Sequence, residues 1–140
     1  IGRNSQLRKE EKIMVKYHTL DDVKKEIVFK KIVNWDSDKL VLEDGTEITI
    51  ECSEQDCCAW AGGSFKDVKL DAVITDIQIH DKGQNIFNGD GHDSYANVII
   101  YHNQNEIAKA ECEANDGNGG YYYSICALRV KDMWSVITQA

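Results

Sequence analysis

The run KLVLEDGTEITIEC, residues 39–52, limits this chain's fold more than any other stretch. Two β-branched runs flank Asp44-Gly45, and that dipeptide between alternating segments signals a hairpin, because glycine supplies the positive φ a tight turn demands. In the second run Ile48, Ile50 and Cys52 share one face while Glu47, Thr49 and Glu51 share the other, since side chains alternate across a strand.

Other segments extend the pattern. DVKLDAVITDIQIHD predicts a strand with Val73, Thr75, Ile77 and Ile79 on one side and Asp76, Gln78 and His80 on the other. YANVIIYHN and EIAKAECEAN predict a hairpin around NQN, the latter presenting Ala108, Ala110, Cys112 and Ala114 as a small-residue face. YYYSICALRV is apolar on both faces and reads as a central strand. Its tyrosines are expected as core and rim rather than as an exposed recognition patch.

Helical signals are few. Thr19 before LDDVKKEI is an N-cap followed by acid and then lysine, with Leu20, Val23 and Ile27 on one stripe. DMWSVITQA admits a last helix or a strand, with Met133, Trp134 and Ile137 suiting a docked helical face. KGQNIFNGDGHDS reads as a long polar loop. The expectation is an α+β fold: a mainly antiparallel sheet of five to seven strands, one early helix and one or two short ones, without the alternation that a parallel sheet requires.

The first residues look unlike the rest. Arg3-Asn4-Ser5 back-translates to codons containing GAATTC, and Lys9-Glu10-Glu11 to codons containing AGGAGG, ahead of Met14. Residues 1–13 therefore read as vector- and leader-derived, with 14–140 as a single globular domain from a bacterium or its phage. Setting aside the four basic and two acidic residues of 1–13 leaves twelve basic against twenty-two acidic, −10 in place of −8. That field repels nucleic acid and anionic membrane, and suits a basic partner. No apolar run approaches a membrane span. The five cysteines, at 52, 57, 58, 112 and 126, are odd in number and sparse, which suggests free thiols in a cytoplasmic setting.

SEQDCCAWAGGSF, residues 53–65, holds the most unusual feature, the adjacent Cys57 and Cys58. Neighbouring side chains tend to diverge, a second zinc-ligand set is missing, and the Cys-x-x-Cys redox spacing is absent. Glu51, Glu54 and Asp56 would raise rather than lower a thiol pKa, which argues against a nucleophile. The expected structure is the end of a strand. One cysteine packs inward, Trp60 or Phe65 covers the core, Asp56 caps a short helical turn, and Gly62-Gly63 ends it. Asp56-Cys57-Cys58, with Ala59 and Trp60 following, resembles a motif of small uncharacterised bacteriophage and bacterial proteins, roughly Gly-Asp-Cys-Cys-Ser-x-Ser-Trp. Here Gln55 replaces the glycine, Ala59 the serine, and Trp60 is displaced. The resemblance implies a source and no activity.

The best cluster for chemistry is His80, Asp81, Asp90, His92 and Asp93, which would suit a divalent metal if the loop mouth brought them together. Yet NGDGHDS lacks the closing glutamate of a calcium loop, and no phosphate-cradling glycine motif occurs. His18 and His102 belong to no catalytic signature. No cofactor is expected. Two functions follow: a small acidic accessory protein that binds a host or partner protein, in one form as an inhibitor imitating DNA phosphates toward a defence enzyme, or a metal-dependent or thiol enzyme built on the loop cluster or Cys57/Cys58.

Overall fold

The computed structural model describes residues 15–140. The leader reading of residues 1–13 falls outside them. The first helix among the described residues is α1 (Leu20–Ile27), where Thr19 and Asp22 form a reciprocal capping box. Val23 and Ile27 are fully buried and Leu20 partly so, the stripe that their spacing predicts.

Nine strands follow: β1 (Ile32–Trp35), β2 (Lys39–Leu42), β3 (Glu47–Gln55), β4 (Ala61–Lys66), β5 (Asp76–Phe87), β6 (His92–His102), β7 (Asn105–Asn115), β8 (Ser124–Val130) and β9 (Met133–Gln139). They form a five-stranded sheet, β1-β2-β3-β8-β9, and a four-stranded sheet, β4-β7-β6-β5, with every named strand pair antiparallel. The sheets pack face to face around one core. Leu40, Ile48, Leu128 and Val130 line the first sheet, and Phe65, Val98, Ile100 and the predicted face of Ala108, Ala110, Cys112 and Ala114 line the second.

The α+β expectation is corrected: the described residues form a nearly all-β sandwich with, among them, one helix and a single 3-10 turn, Asn118–Gly120. Three segments account for the difference. Residues 133–139 form β9 and not a helix; seven residues fit either period, and the β-branched Val136, Ile137 and Thr138 favour the strand. No helical turn follows Cys57, because the chain enters β4 directly. The supposed long loop is mostly strand, since β5 runs to Phe87 with bulges on either side of Gly83. Gly83 and Asn85 supply the positive φ of those bulges.

The leading hairpin forms where predicted. Gly45 N–H donates to the Leu42 carbonyl, Asp44 Oδ1 accepts from Thr46 N–H, and Leu40 faces Ile48. β8 lies inside its sheet between β3 and β9, as its apolar sequence requires.

Candidate functional site

Three connections meet at one pole of the sandwich: β3–β4, β5–β6 and β7–β8. The β3–β4 turn starts at Asp56, whose N–H donates to the Tyr123 carbonyl and whose own carbonyl accepts from Ala59 N–H at 3.2 Å. It leaves the sheet where the sequence placed it, but neither thiol packs inward. Cys57 and Cys58 are both exposed, and their sulfurs converge to 3.2 Å instead of diverging. The neighbouring thiol, first through its hydrogen bond, raises the Cys57 pKa, and Asp56 adds to the shift. The charge of the nearby Cys58 sulfur raises the Tyr122 pKa.

Trp60 is 50% exposed, and the core is covered by Phe65. Gly62 and Gly63 sit inside β4 and end no helical turn. Their role is close approach. A Cβ on Gly62 would strike the Trp60 ring at 2.7 Å, and one on Gly63 would strike Cys112 Sγ and the Glu111 carbonyl at 2.7 Å.

A buried knot holds this turn in place. The Ser124 hydroxyl, fully buried, lies 2.9 Å from the Trp60 carbonyl and 2.6 Å from that of Asn115, and accepts from Asn115 N–H. Asn115 N–H is shared with the Trp60 carbonyl, and Asn115 Oδ1 accepts from Trp60 N–H at 2.9 Å. The backbone of Trp60 is thereby tied to β7 and β8.

The candidate metal cluster does not assemble. His80 faces Asn97 in the register and hydrogen-bonds the Gln78 side chain, far along β5 from the tip. Asp81 accepts from Gly83 N–H at the bulge. Asp90 accepts from Gly119 N–H, and Asp93 from Asn88 and the Tyr95 hydroxyl. Among the described residues no group of three or more His, Cys, Asp or Glu is placed to hold a metal ion.

His92 instead meets Asp116, which directly follows β7. Asp116 Oδ1 accepts from His92 N–H at 2.6 Å, and Oδ2 pairs with His92 Nδ1 at 2.7 Å. Burial works to raise the Asp116 pKa, but the His92 backbone and imidazole outweigh it and hold the carboxyl below its ordinary value. A Cβ on Gly91 would lie 2.4 Å from Asp116 Oδ1, so glycine is required there for this pairing.

The tyrosine run is neither core nor strand. Tyr121 is 87% exposed and Tyr123 42% exposed, and both precede β8. With Phe87 (68%) and Trp60, four exposed aromatic side chains share the pole with Glu54, Asp56, Asp90 and Asp93. The three connections and their flanking strands, residues 40–65, 83–108 and 110–128, contain neither lysine nor arginine; beside Glu54 and Asp56 the pole is completed by Val15, with Lys16 next in the chain. No single segment announced this; each looks ordinary until the topology stacks their ends.

The other three cysteines lie in or beside the core. Cys112 on β7 and Cys126 on β8 face each other between the sheets; that contact, and then burial, push the Cys126 thiol far above its ordinary pKa. Cys52 lies beside Cys126 in the β3–β8 register and is only partly buried.

A family profile described as Domain of unknown function (DUF7448) matches residues 25–128, which include all three connections of this pole. The chain belongs to that family. No curated protein and no solved structure matches it. Among the described residues no helix is long and apolar enough to cross a membrane.

Proposed function

We propose that this protein is an acidic binding module that docks the β3–β4, β5–β6 and β7–β8 pole of its sandwich on a basic surface of a partner protein. One observation carries the reading: exposed Trp60, Phe87, Tyr121 and Tyr123 sit among carboxylates on three connections that contain no lysine or arginine. Exposed aromatics supply contact area at low entropy cost, and a rigid sheet presenting variable loops is a common binding arrangement. Unbalanced acid steers a basic partner and repels nucleic acid and anionic membrane. A bacterial or phage source and a cytoplasmic setting belong to the same proposal; they rest on the resemblance carried by Asp56-Cys57-Cys58 and on the sparse, odd cysteines. Imitation of DNA phosphates toward a defence enzyme is one form such docking would take.

The enzyme reading keeps a single observation, the His92–Asp116 pair, in which a carboxylate orients an imidazole as in general-base sites. Elemental analysis together with thiol titration separates the two. Stoichiometric metal, or a thiol that ionises below neutral pH, would overturn the binding reading in favour of the enzyme. Protein that binds a partner with all thiols protonated and no metal supports docking.

A further inference from the structure

We propose that Cys57 and Cys58 form a dithiol site that takes a trivalent arsenic compound, both sulfurs bonding one arsenic atom. The inference stands on the turn's geometry and is independent of the docking proposal. The two sulfurs are exposed and 3.2 Å apart, so a single bridging atom can reach both without rearranging the backbone. The turn that presents them is closed at both ends: Asp56 N–H donates to Tyr123, and Trp60 is pinned to Asn115. Gly117 packs against the Cys58 carbonyl, where a Cβ would come within 2.9 Å. The pair is therefore held convergent by the fold, and preorganisation of this kind lowers the ordering cost of binding.

The chemistry selects the ligand. A divalent cation such as zinc prefers four ligands and thiolates, and no such set is assembled here among the described residues. The hydrogen bond with Cys58 also raises the Cys57 pKa, with a smaller contribution from Asp56, which favours the neutral thiol. Arsenous acid is uncharged and reacts with neutral thiols. Two As–S bonds form and two As–OH bonds break, each hydroxyl leaving as water with one thiol proton. The third hydroxyl stays on arsenic. No electron changes hands, so no oxidant or reductant is needed. The remaining thiols do not compete as a pair: Cys112 and Cys126 are enclosed in the core, and Cys52 is hydrogen-bonded to Gln55 and the Glu54 carbonyl.

Phenylarsine oxide is the probe, with intact-mass spectrometry of the full chain as the readout. The expected result is one phenylarsenic adduct per chain, formed with loss of one water. It should persist in excess monothiol and be removed by a small dithiol. Cys57→Ser and Cys58→Ser should each abolish the adduct, with melting curves showing that both variants fold, while Cys52→Ser retains it. The folded chain should hold arsenic against at least roughly tenfold more competing monothiol than a synthetic peptide of residues 53–65, because the fold removes the ordering cost. An adduct that survives in either Cys57→Ser or Cys58→Ser, or equal retention by the free peptide, would overturn the proposal.

Discussion

At the pole carrying α1 and the β2–β3 turn, carboxylates face cations. Lys30 meets Asp44 at 2.8 Å, Lys24 meets Asp76 at 2.9 Å, and Lys131 reaches Glu26 at 3.4 Å. Lys30 pulls the Asp44 pKa far below its ordinary value. At the opposite pole Asp90 and Asp93 are held by a backbone N–H, an amide and a phenol, and Asp116 by an imidazole. Hydrogen bonds from uncharged groups fix Asp90 and Asp93 without cancelling their charge. Exposed ion pairs contribute little to stability, so the contrast is about availability and not strength. One pole, the closed one, pairs its carboxylates with cations; the other, the open one, presents carboxylates beside aromatic rings and is the surface proposed to dock a partner.

Ways to break this comparison can be ranked by size. The largest stability effect should come from Ser124→Ala, which removes the buried hydroxyl that bridges the Trp60 and Asn115 carbonyls and leaves the direct Trp60–Asn115 bonds to hold the turn alone. A loss of about 1–3 kcal/mol is expected in denaturant unfolding. No loss would mean that the docking pole is not held by the knot. At the closed pole, Thr19→Ala removes the α1 cap and should cost about 1 kcal/mol in the same assay, with partner binding unchanged. A binding loss there would blur the distinction between the poles.

Asp116 gives a smaller, pH-dependent signal. Its folded pKa lies below the ordinary value of 3.8, so its stabilisation is present above that pH and is lost as pH falls through the lower folded value. Asp116→Asn should therefore flatten the acid limb of the stability curve below about pH 4 relative to the parent, as read by thermal melts across pH. An unchanged acid limb would show that the His92 contact contributes nothing there.

Legibility differed along the same axis. The closed pole and the core were readable because their signals are local: Asp44-Gly45 dictates a turn, Thr19 with Asp22 a cap, and alternation from Ile48 to Cys52 a face. The open pole depends on register. His92 and Asp116 are joined only because Asp93 pairs with Asn115 across β6 and β7, a pairing no motif encodes. The exposure of Cys57 and Cys58 was misread because strand alternation ends at Gln55, and the orientation of a turn beyond it is set by Tyr123 and Asn115. The glycines of β4 were read as turn residues, although a glycine also serves where a ring or a backbone must come close. A Gly/Asn-rich stretch likewise passed for a loop when its special φ values served bulges inside β5.

The most direct test of the docking pole compares exposed aromatics at the two poles. A partner recovered with the tagged full chain is purified and titrated calorimetrically against Trp60→Ala, Tyr121→Ala and Phe29→Ala. Phe29 is 76% exposed, beyond the end of α1, and serves as the control. The account predicts that Trp60→Ala and Tyr121→Ala each weaken binding roughly tenfold or more, as expected of aromatic anchors, with a steep loss of affinity in added salt. Phe29→Ala should leave affinity within about twofold, since most contacts outside an anchor cluster are near-neutral. Unchanged affinity in both open-pole variants, or a loss confined to Phe29→Ala, would contradict it.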